Sequence, residues 1–310
     1  MTDPAPILTF AARPGAFPWV RLKALVLNGI SSAHTRRAYE HAFDAFHAWY
    51  RPEEHGPFGR LVVQGYRAEL ETQKRAASTI NLQLAALRRL AAEAVENGLI
   101  APEVAVGIGK VRGVPQGDVR VANWLTRDQT EQLLRLPDVS RAKGRRDQAL
   151  LALFVGCGLR RSELAALSIE HIQQRSGRWV IVDLIGKGLR VRSVPMPSWA
   201  KTAVDRWTES ASITGGRVFR AINKADRLVS DRMTPQSIFE IVERYSRDLG
   251  VPVAPYDLRR TFAKLAHRGK APIEQIQRSL GHASLQTTER YLGLEQDFVD
   301  APCDRLGIQI

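Results

Sequence analysis

One interruption of pattern constrains this chain most. From Val104 to Val121 the helical periodicity stops, and Gly107, Gly109, Gly113, Pro115 and Gly117 crowd together. Gly and Pro at that density read as a linker. The 310 residues therefore divide into two domains, as their length also suggests. Ahead of the break, apolar side chains recur at the helical period. Ser31 or Ser32 stands as an N-cap, followed by Tyr39, Phe43, Phe46 and Tyr50 with Ala42 and Trp49 beside them, and Pro52 closes the run. Leu61–Glu71 reads as a second helix. Ser78 opens a third, with Ile80, Leu84, Leu87, Ala91 and Val95 on one face and Asn97-Gly98 as its stop. A short helix is expected over Trp19–Leu27, after a loosely packed Pro- and Ala-rich lead-in. The expected boundaries are 1–18 for the lead-in, 19–106 for a helical domain, 107–121 for the linker and 122–310 for a second domain with its tail.

The second part mixes helices with one hairpin. Thr126 and Gln129 form a capping box for a helix to Leu134. Arg145–Val155 is mostly apolar, hence a buried helix, and it ends at Gly156-Cys157-Gly158. Arg178–Ile185 and Leu189–Met196 read as strands joined by a tight Gly186-Lys187-Gly188 turn. Ser198–Ser210 and Thr234–Leu249 are helical, with Pro235 at a first position where proline is tolerated. Pro252 and Pro255 break the chain before Tyr256. The fold class expected is mainly α with a small antiparallel sheet. The tail from Leu292 to Ile310 is too short for a core of its own, so it packs on its own domain or docks on another copy.

The formal charge of +13 makes a polyanion the natural partner. Nucleic acid is favoured over a membrane, because no apolar run approaches the ~18 residues a spanning helix needs. Met1–Phe10 shows no secretory pattern. Cys157 and Cys303 are too few for a disulfide framework or a C-x-x-C zinc site, which suits a reducing cytoplasm. Neither metal nor cofactor is expected. Arg88 and Arg89 lie off the apolar stripe of their helix, and Lys110 and Arg112 lie in the linker. They are candidates for DNA-backbone contact, against the alternative of a merely solvated surface.

Three further stretches carry chemistry: Gly158-Leu159-Arg160-Arg161-Ser162-Glu163-Leu164, Tyr256-Asp257-Leu258-Arg259-Arg260-Thr261-Phe262-Ala263, and Leu280-Gly281-His282 with Tyr291 nine residues after the histidine. Cutting a phosphodiester without a metal needs a nucleophile, cations on the non-bridging oxygens and an acid for the leaving 5′ oxygen. A tyrosine can attack and store the bond energy as a phosphotyrosine ester. An arginine at a helix start presents its fork and free backbone N–H groups to a phosphate, and Arg160 has that position. Glu163, three residues on, can brace it.

Together these stretches resemble the catalytic signature of tyrosine site-specific recombinases of the phage-integrase and Xer type. Thr35–Tyr39 and Ser78–Leu90 resemble the family's helical, SAM-like core-binding domain, so the likeness covers nearly the whole chain. The resemblance implies a two-domain DNA clamp in which Tyr291 is the nucleophile and Arg160 and Arg259 hold the phosphate. Lys187 in the hairpin turn is then the general acid, being charged at the ~10.4 typical of lysine amines. His282 then hydrogen-bonds a non-bridging oxygen or assists proton transfer. By the motif's register Arg161 and Arg260 become neighbours on the DNA backbone, and Arg190 and Arg192 phosphate contacts or understudies for Lys187. Tyr256 is a departure, because the family usually has His there; phenols titrate near ~10 and are poor bases at neutral pH. Arg260, where His is common, is a milder one.

The resemblance further implies a tetramer on two double-stranded DNA sites, a Holliday-junction intermediate, and a cytoplasmic protein associated with the nucleoid. A separate arm-site domain is not expected, and accessory proteins stay open. Tyr256 and Arg260 tilt the reading toward a mobile-element integrase. Two alternatives remain: a type IB topoisomerase-like relaxing enzyme, and an architectural DNA-binding protein without catalysis.

Overall fold

A computed structural model describes residues 19–115, 123–186 and 191–293. The chain divides into two compact units, Met1–Arg120 and Val121–Ile310. Within the first, helices α1 (Trp19–Asn28), α2 (Ala33–Trp49), α3 (Pro52–His55), α4 (Arg60–Thr72), α5 (Ala77–Glu96) and α6 (Pro102–Gly109) follow one another. Ser32 is the N-cap of α2 and accepts from the Thr35 N–H. Helix α5 is central. It buries Ile80, Leu84, Leu87, Leu90 and Ala91 and packs against α1, α2, α4 and α6. Phe46 anchors the aromatic side of that core, edge-on to Tyr66 at 5.1 Å and to Phe58 at 5.7 Å.

The linker expected over 107–121 is shorter than its composition suggested. Helix α6 runs through Gly107 to Gly109, and Ile108 and Val111 belong to the buried core. Asn81 on α5 then pins Val114 through both its backbone N–H and its carbonyl, each at 2.9 Å. Apolar burial and this paired backbone outweigh the glycine content.

The second unit is built around α8 (Ala142–Cys157), almost entirely buried from Ala149 to Cys157. Helices α7 (Arg127–Arg135), α10 (Ser198–Ser210) and α12 (Pro255–Arg268) pack on it. The capping box at Thr126 and Gln129 forms in both directions. Helix α9 (Arg161–Ala166) leads to a three-stranded antiparallel sheet, β1 (Ile172–Arg175), β2 (Arg178–Ile185) and β3 (Val191–Pro195), in the order β1-β2-β3. Strand β1 is an addition to the sequence reading. Its I-Q-Q-R lacks the alternation of a half-buried strand. It pairs with β2 through a two-residue turn, Ser176-Gly177, both at positive φ (49° and 71°), the geometry that suits strand twist.

Helix α11 (Pro235–Leu249) is tied to α8 by a buried charge. Asp147 accepts from Arg146 Nε and Nη2, from Arg244 Nη2 at 2.6 Å and from the Tyr245 hydroxyl at 3.2 Å. Helices α12, α13 (Ile273–Leu280) and α14 (Leu285–Leu292) share a small apolar cluster of Ala263, Ile276, Leu280, Tyr291 and Leu292. No helix among the described residues is long and apolar enough to cross a membrane.

Helix α8 stops at Gly158, whose φ of 59° and ψ of 34° are left-handed. A Cβ there would lie 2.5 Å from Cδ1 of Phe262 on α12. Gly158→Ala is therefore expected to cost about 2–5 kcal/mol, from the left-handed penalty together with overpacking. Urea unfolding of the full chain checks this, and a loss below about 1 kcal/mol would contradict this account of the turn.

Candidate active site

The left-handed turn at Gly158 sends the chain from α8 into α9 with Arg160 as N-cap. The Glu163 carboxylate turns back on that N-terminus. Oε2 accepts from the Arg160 backbone N–H at 2.7 Å, and Oε1 pairs with Arg160 Nη1 at 2.7 Å. The same carboxylate receives both Nη1 and Nη2 of Arg192 on β3 at 2.8 Å, a bidentate fork. Arg192 Nε donates to the Ser279 carbonyl at 2.9 Å, which ties β3 to the end of α13. Glu163 thus joins three elements while only 5% of its side chain is exposed. Burial alone would raise its pKa. The hydrogen bonds from Arg192 and the Arg160 N–H overcome that and hold it down at about 2.

Arg259 enters from α12, whose start is capped by Asp257 accepting from the Ala254 N–H at 2.9 Å. It is buried. Nη1 donates to the Gly158 carbonyl and Nη2 to the Leu280 carbonyl, so one guanidinium clips together two of the motif turns. Burial first, then the charge of Arg160, lowers it to about 10, which leaves it cationic at neutral pH. Gly281, left-handed at φ 63°, ends α13 and delivers His282. A Cβ on Gly281 would come 2.8 Å from Arg192 Cδ, so the turn lies directly against that arginine. His282 Nδ1 is 3.0 Å from Thr288 Oγ1. Burial, followed by the charges of Arg259, Arg160 and Arg192, pushes its pKa down to about 4, so the ring is neutral at pH 7.

Tyr291 lies on α14 with its ring edge-on to His282 and to Tyr256, both at 5.1 Å between centroids. Its hydroxyl donates to the backbone carbonyl of Tyr256 at 3.2 Å. Burial pushes the phenol's pKa up, against the opposing pull of Arg259. The Tyr256 side chain is itself exposed.

Arg160, Arg259, His282 and Tyr256 line one cavity of about 390 Å³, with Phe239 and Pro255 on its apolar side. Arginine guanidinium groups facing a neutral imidazole, with Glu163 the carboxylate that balances them, make an anion site of phosphate type. Arg161 also lines it, its guanidinium 5.5 Å from the centroid of Phe239.

The sequence grouped Arg192 and Arg260 with DNA contacts, and their placement differs. The Arg192 fork is spent on Glu163. Arg260 is 7% exposed and lies 5.1 Å from the centroid of the Tyr291 ring, with no hydrogen-bond partner for its Nε among the described residues. In each case the guanidinium is turned onto another side chain of the same unit, Glu163 for Arg192 and the Tyr291 ring for Arg260. In the first unit, Arg88 Nη2 donates to the Val111 carbonyl at 2.5 Å, whereas Arg89, Lys110 and Arg112 are exposed. Lys187 and Arg190 lie outside the described residues. Sequence reasoning passed over Thr288, which is fully buried against His282. The recurrence of its type one turn before Tyr291 was the only available signal.

Comparison with known proteins came from both sequence and structure. Residues 123–297 match the phage integrase family, and residues 22–98 match the phage integrase N-terminal SAM-like domain. The chain is 29% identical over 270 residues to tyrosine recombinase XerC of Thermodesulfovibrio yellowstonii, covering 84% of this chain and 85% of that protein. It is 30% identical over 277 residues to tyrosine recombinase XerD of Pseudomonas aeruginosa, covering 87% and 90%. Its fold is similar to that of a lambda integrase dimer bound to a COC′ core site, with a TM-score of 0.70 at 16% identity over 90% of this chain and 78% of that one.

The depressed pKa of Glu163 has a definite sign. The folded value of about 2 lies below the ordinary 4.5, so its contribution is complete above the unfolded value and is lost as pH falls toward the folded one. Wild type should therefore lose stability between about pH 5 and pH 2 more steeply than Glu163→Gln, which should already be several kcal/mol weaker at pH 7 because Arg192 is left buried without its counter-charge. Parallel acid titrations of the two proteins would exclude the clamp if their stability curves ran parallel.

Proposed function

The chain belongs to the phage integrase family and is a tyrosine recombinase, an enzyme that cuts and rejoins DNA strands at specific sites; we propose that it does so through Tyr291. The Tyr291 hydroxyl oxygen attacks the scissile phosphorus, the bond to the 5′ oxygen breaks, and a 3′-phosphotyrosyl link remains. The phenol's proton passes to water as the O–P bond forms, and the departing 5′ oxygen takes a proton, which we assign to Lys187. Arg160 and Arg259 hold the non-bridging oxygens. Attack by another strand's 5′ hydroxyl on the phosphotyrosine reverses the step, and no external energy source is needed.

The observation that carries this reading is the convergence of Arg160, Arg259 and His282 on one cavity, with the Tyr291 ring packed against His282 at 5.1 Å. Those residues come from separate motifs, and a chain without the chemistry has no need to gather them. At rest the Tyr291 hydroxyl is bonded to the Tyr256 carbonyl and its side chain is buried. The nucleophile must turn into the cavity, where phosphate and guanidinium groups replace that bond. Glu163 and Arg192 hold Arg160 and the His282 turn in place.

Double-stranded DNA is the substrate. We further propose that protomers act as a tetramer on two sites, exchanging strands through a Holliday junction, and that the protein works at the nucleoid in the cytoplasm. Tyr256 in place of the family's usual His, and Arg260 beside Arg259, support assigning it to a mobile element. Arg89, Lys110 and Arg112, exposed on the first unit, are proposed to follow backbone phosphates.

Covalent trapping tests the nucleophile. Nicked duplexes cut from the DNA flanking the gene are incubated with wild type, Tyr291→Phe and Tyr256→Phe, then run on a denaturing gel. Wild type should give a denaturation-resistant band and Tyr291→Phe none, while native DNA binding is kept. Tyr256→Phe should slow the band's appearance without abolishing it, because Tyr291 uses the backbone carbonyl of Tyr256. Adducts in Tyr291→Phe would refute the assignment.

A further inference from the structure

We infer that Thr288 is a positioning residue for this reaction: its hydroxyl donates to Nδ1 of His282, fixes the ring as the Nε2–H tautomer, and leaves Nε2–H as the ring's donor to a phosphate oxygen. The inference rests on the strand-transfer reading of the same site and deepens it.

Thr288 is 0% exposed, and its Oγ1 lies 3.0 Å from His282 Nδ1. A hydroxyl has a single proton, and burial makes leaving it without an acceptor costly. Among the described residues, His282 Nδ1 is the one hydrogen-bond partner of Thr288 Oγ1. If Nδ1 carried the proton, the ring would donate to Oγ1 and the hydroxyl proton would point at nothing. If Nδ1 is bare, the hydroxyl donates to it and both groups are satisfied. The hydrogen bond made by one ring nitrogen decides the protonation of the other.

The surroundings agree on a neutral ring. Arg259, Arg160 and Arg192 face His282 and disfavour an imidazolium. A neutral imidazole has one donor, so its tautomer decides whether the ring can donate to a phosphate or only accept. The sequence left two roles open for His282, a hydrogen bond to a non-bridging oxygen or assistance in proton transfer. The Nε2–H tautomer selects the first.

Thr288 also links the histidine to the nucleophile. It lies three residues before Tyr291 on α14, so the two share a helix face. His282 comes from the turn after α13 and is gripped by Gln277, which accepts the His282 N–H on its carbonyl and donates from Nε2 to the His282 carbonyl, both at 3.2 Å. The Thr288 hydroxyl thus ties the histidine itself to the helix bearing Tyr291, beside the Ser284–Thr287 bonds that cap that helix.

The test begins without DNA. The full chain is prepared with 15N-labelled histidine as wild type, Thr288→Val and Thr288→Ser, and the His282 resonances are assigned by their loss in His282→Gln. Wild type and Thr288→Ser should show a neutral ring protonated at Nε2. Thr288→Val, which keeps the shape and loses the hydroxyl, should show a mixture of tautomers. In covalent trapping Thr288→Val should then be slower by about 10- to 100-fold, the loss seen when the outer partner that orients a metal-bound imidazole is removed, at unchanged DNA affinity, and Thr288→Ser should be near wild type. An Nδ1–H ring in wild type overturns the inference, and so does Thr288→Val with wild-type tautomer or wild-type rate. The wild-type spectrum decides even if Thr288→Val fails to fold. Adduct formation by Tyr291→Phe would instead overturn the strand-transfer reading and leave the tautomer result standing.

Discussion

The Glu163 carboxylate is the interaction on which the site depends. A pocket meant to attract a phosphate gathers cations, and cations at close range repel one another. At ~4 Å and an effective dielectric near 20 the repulsion is about 4 kcal/mol per pair. Arg160 and Arg192 press on Arg259, and all three press on His282. Glu163 offsets this from behind, pairing with Arg160 and, through both oxygens, with Arg192. Because it also accepts the Arg160 backbone N–H, it fixes the direction in which α9 starts. Arg192 passes that constraint on to the Ser279 carbonyl and the glycine turn before His282.

Tyr291, the proposed nucleophile, is held differently from the residues proposed to bind phosphate. Arg160 and His282 reach the cavity from turns, each set by a glycine in the left-handed conformation. Tyr291 belongs to the small apolar cluster of α12, α13 and α14, and its hydroxyl is occupied by a backbone carbonyl. Burial raises the phenol's pKa in that position. The free protein therefore holds a preformed cationic cavity beside a Tyr291 phenol that is still protonated and bonded to a backbone carbonyl. On the proposed reading, reaction needs only the local movement of one side chain or one short helix.

Arg260 shows how a motif register can be right while a side chain's neighbourhood stays hidden. It lies against both the Tyr256 and Tyr291 rings, 5.8 and 5.1 Å from their centroids. A guanidinium over aromatic faces gains from the ring quadrupoles. With Tyr256 in place of the family's usual His, the surroundings of Tyr291 are aromatic and cationic, and His282 is the imidazole among the residues lining the cavity.

By itself the sequence determined whatever depends on neighbours within a few residues. The Thr126–Gln129 capping box, Pro235 at a helix start, the Ser198–Ser210 helix and the β2–β3 hairpin are local, and residue type decides them. The three motifs and the mainly helical fold class were legible for the same reason, as was the pairing of Arg160 with Glu163 one helical turn away. Tertiary structure alone decided the rest. Strand β1 carries no alternating pattern because it is an exposed edge, held by pairing with β2. Helix α6 and the packed stretch to Val114 prevail over a glycine-rich composition because Ile108 and Val111 find a core and Asn81 pairs with the Val114 backbone. Arg192 was an arginine beside a hairpin until the fold brought Glu163 to it, and Thr288 was one more polar helix residue until α14 laid it against His282. Long-range partners leave no trace in local pattern, because burial and charge pairing act between groups that only the folded chain brings together.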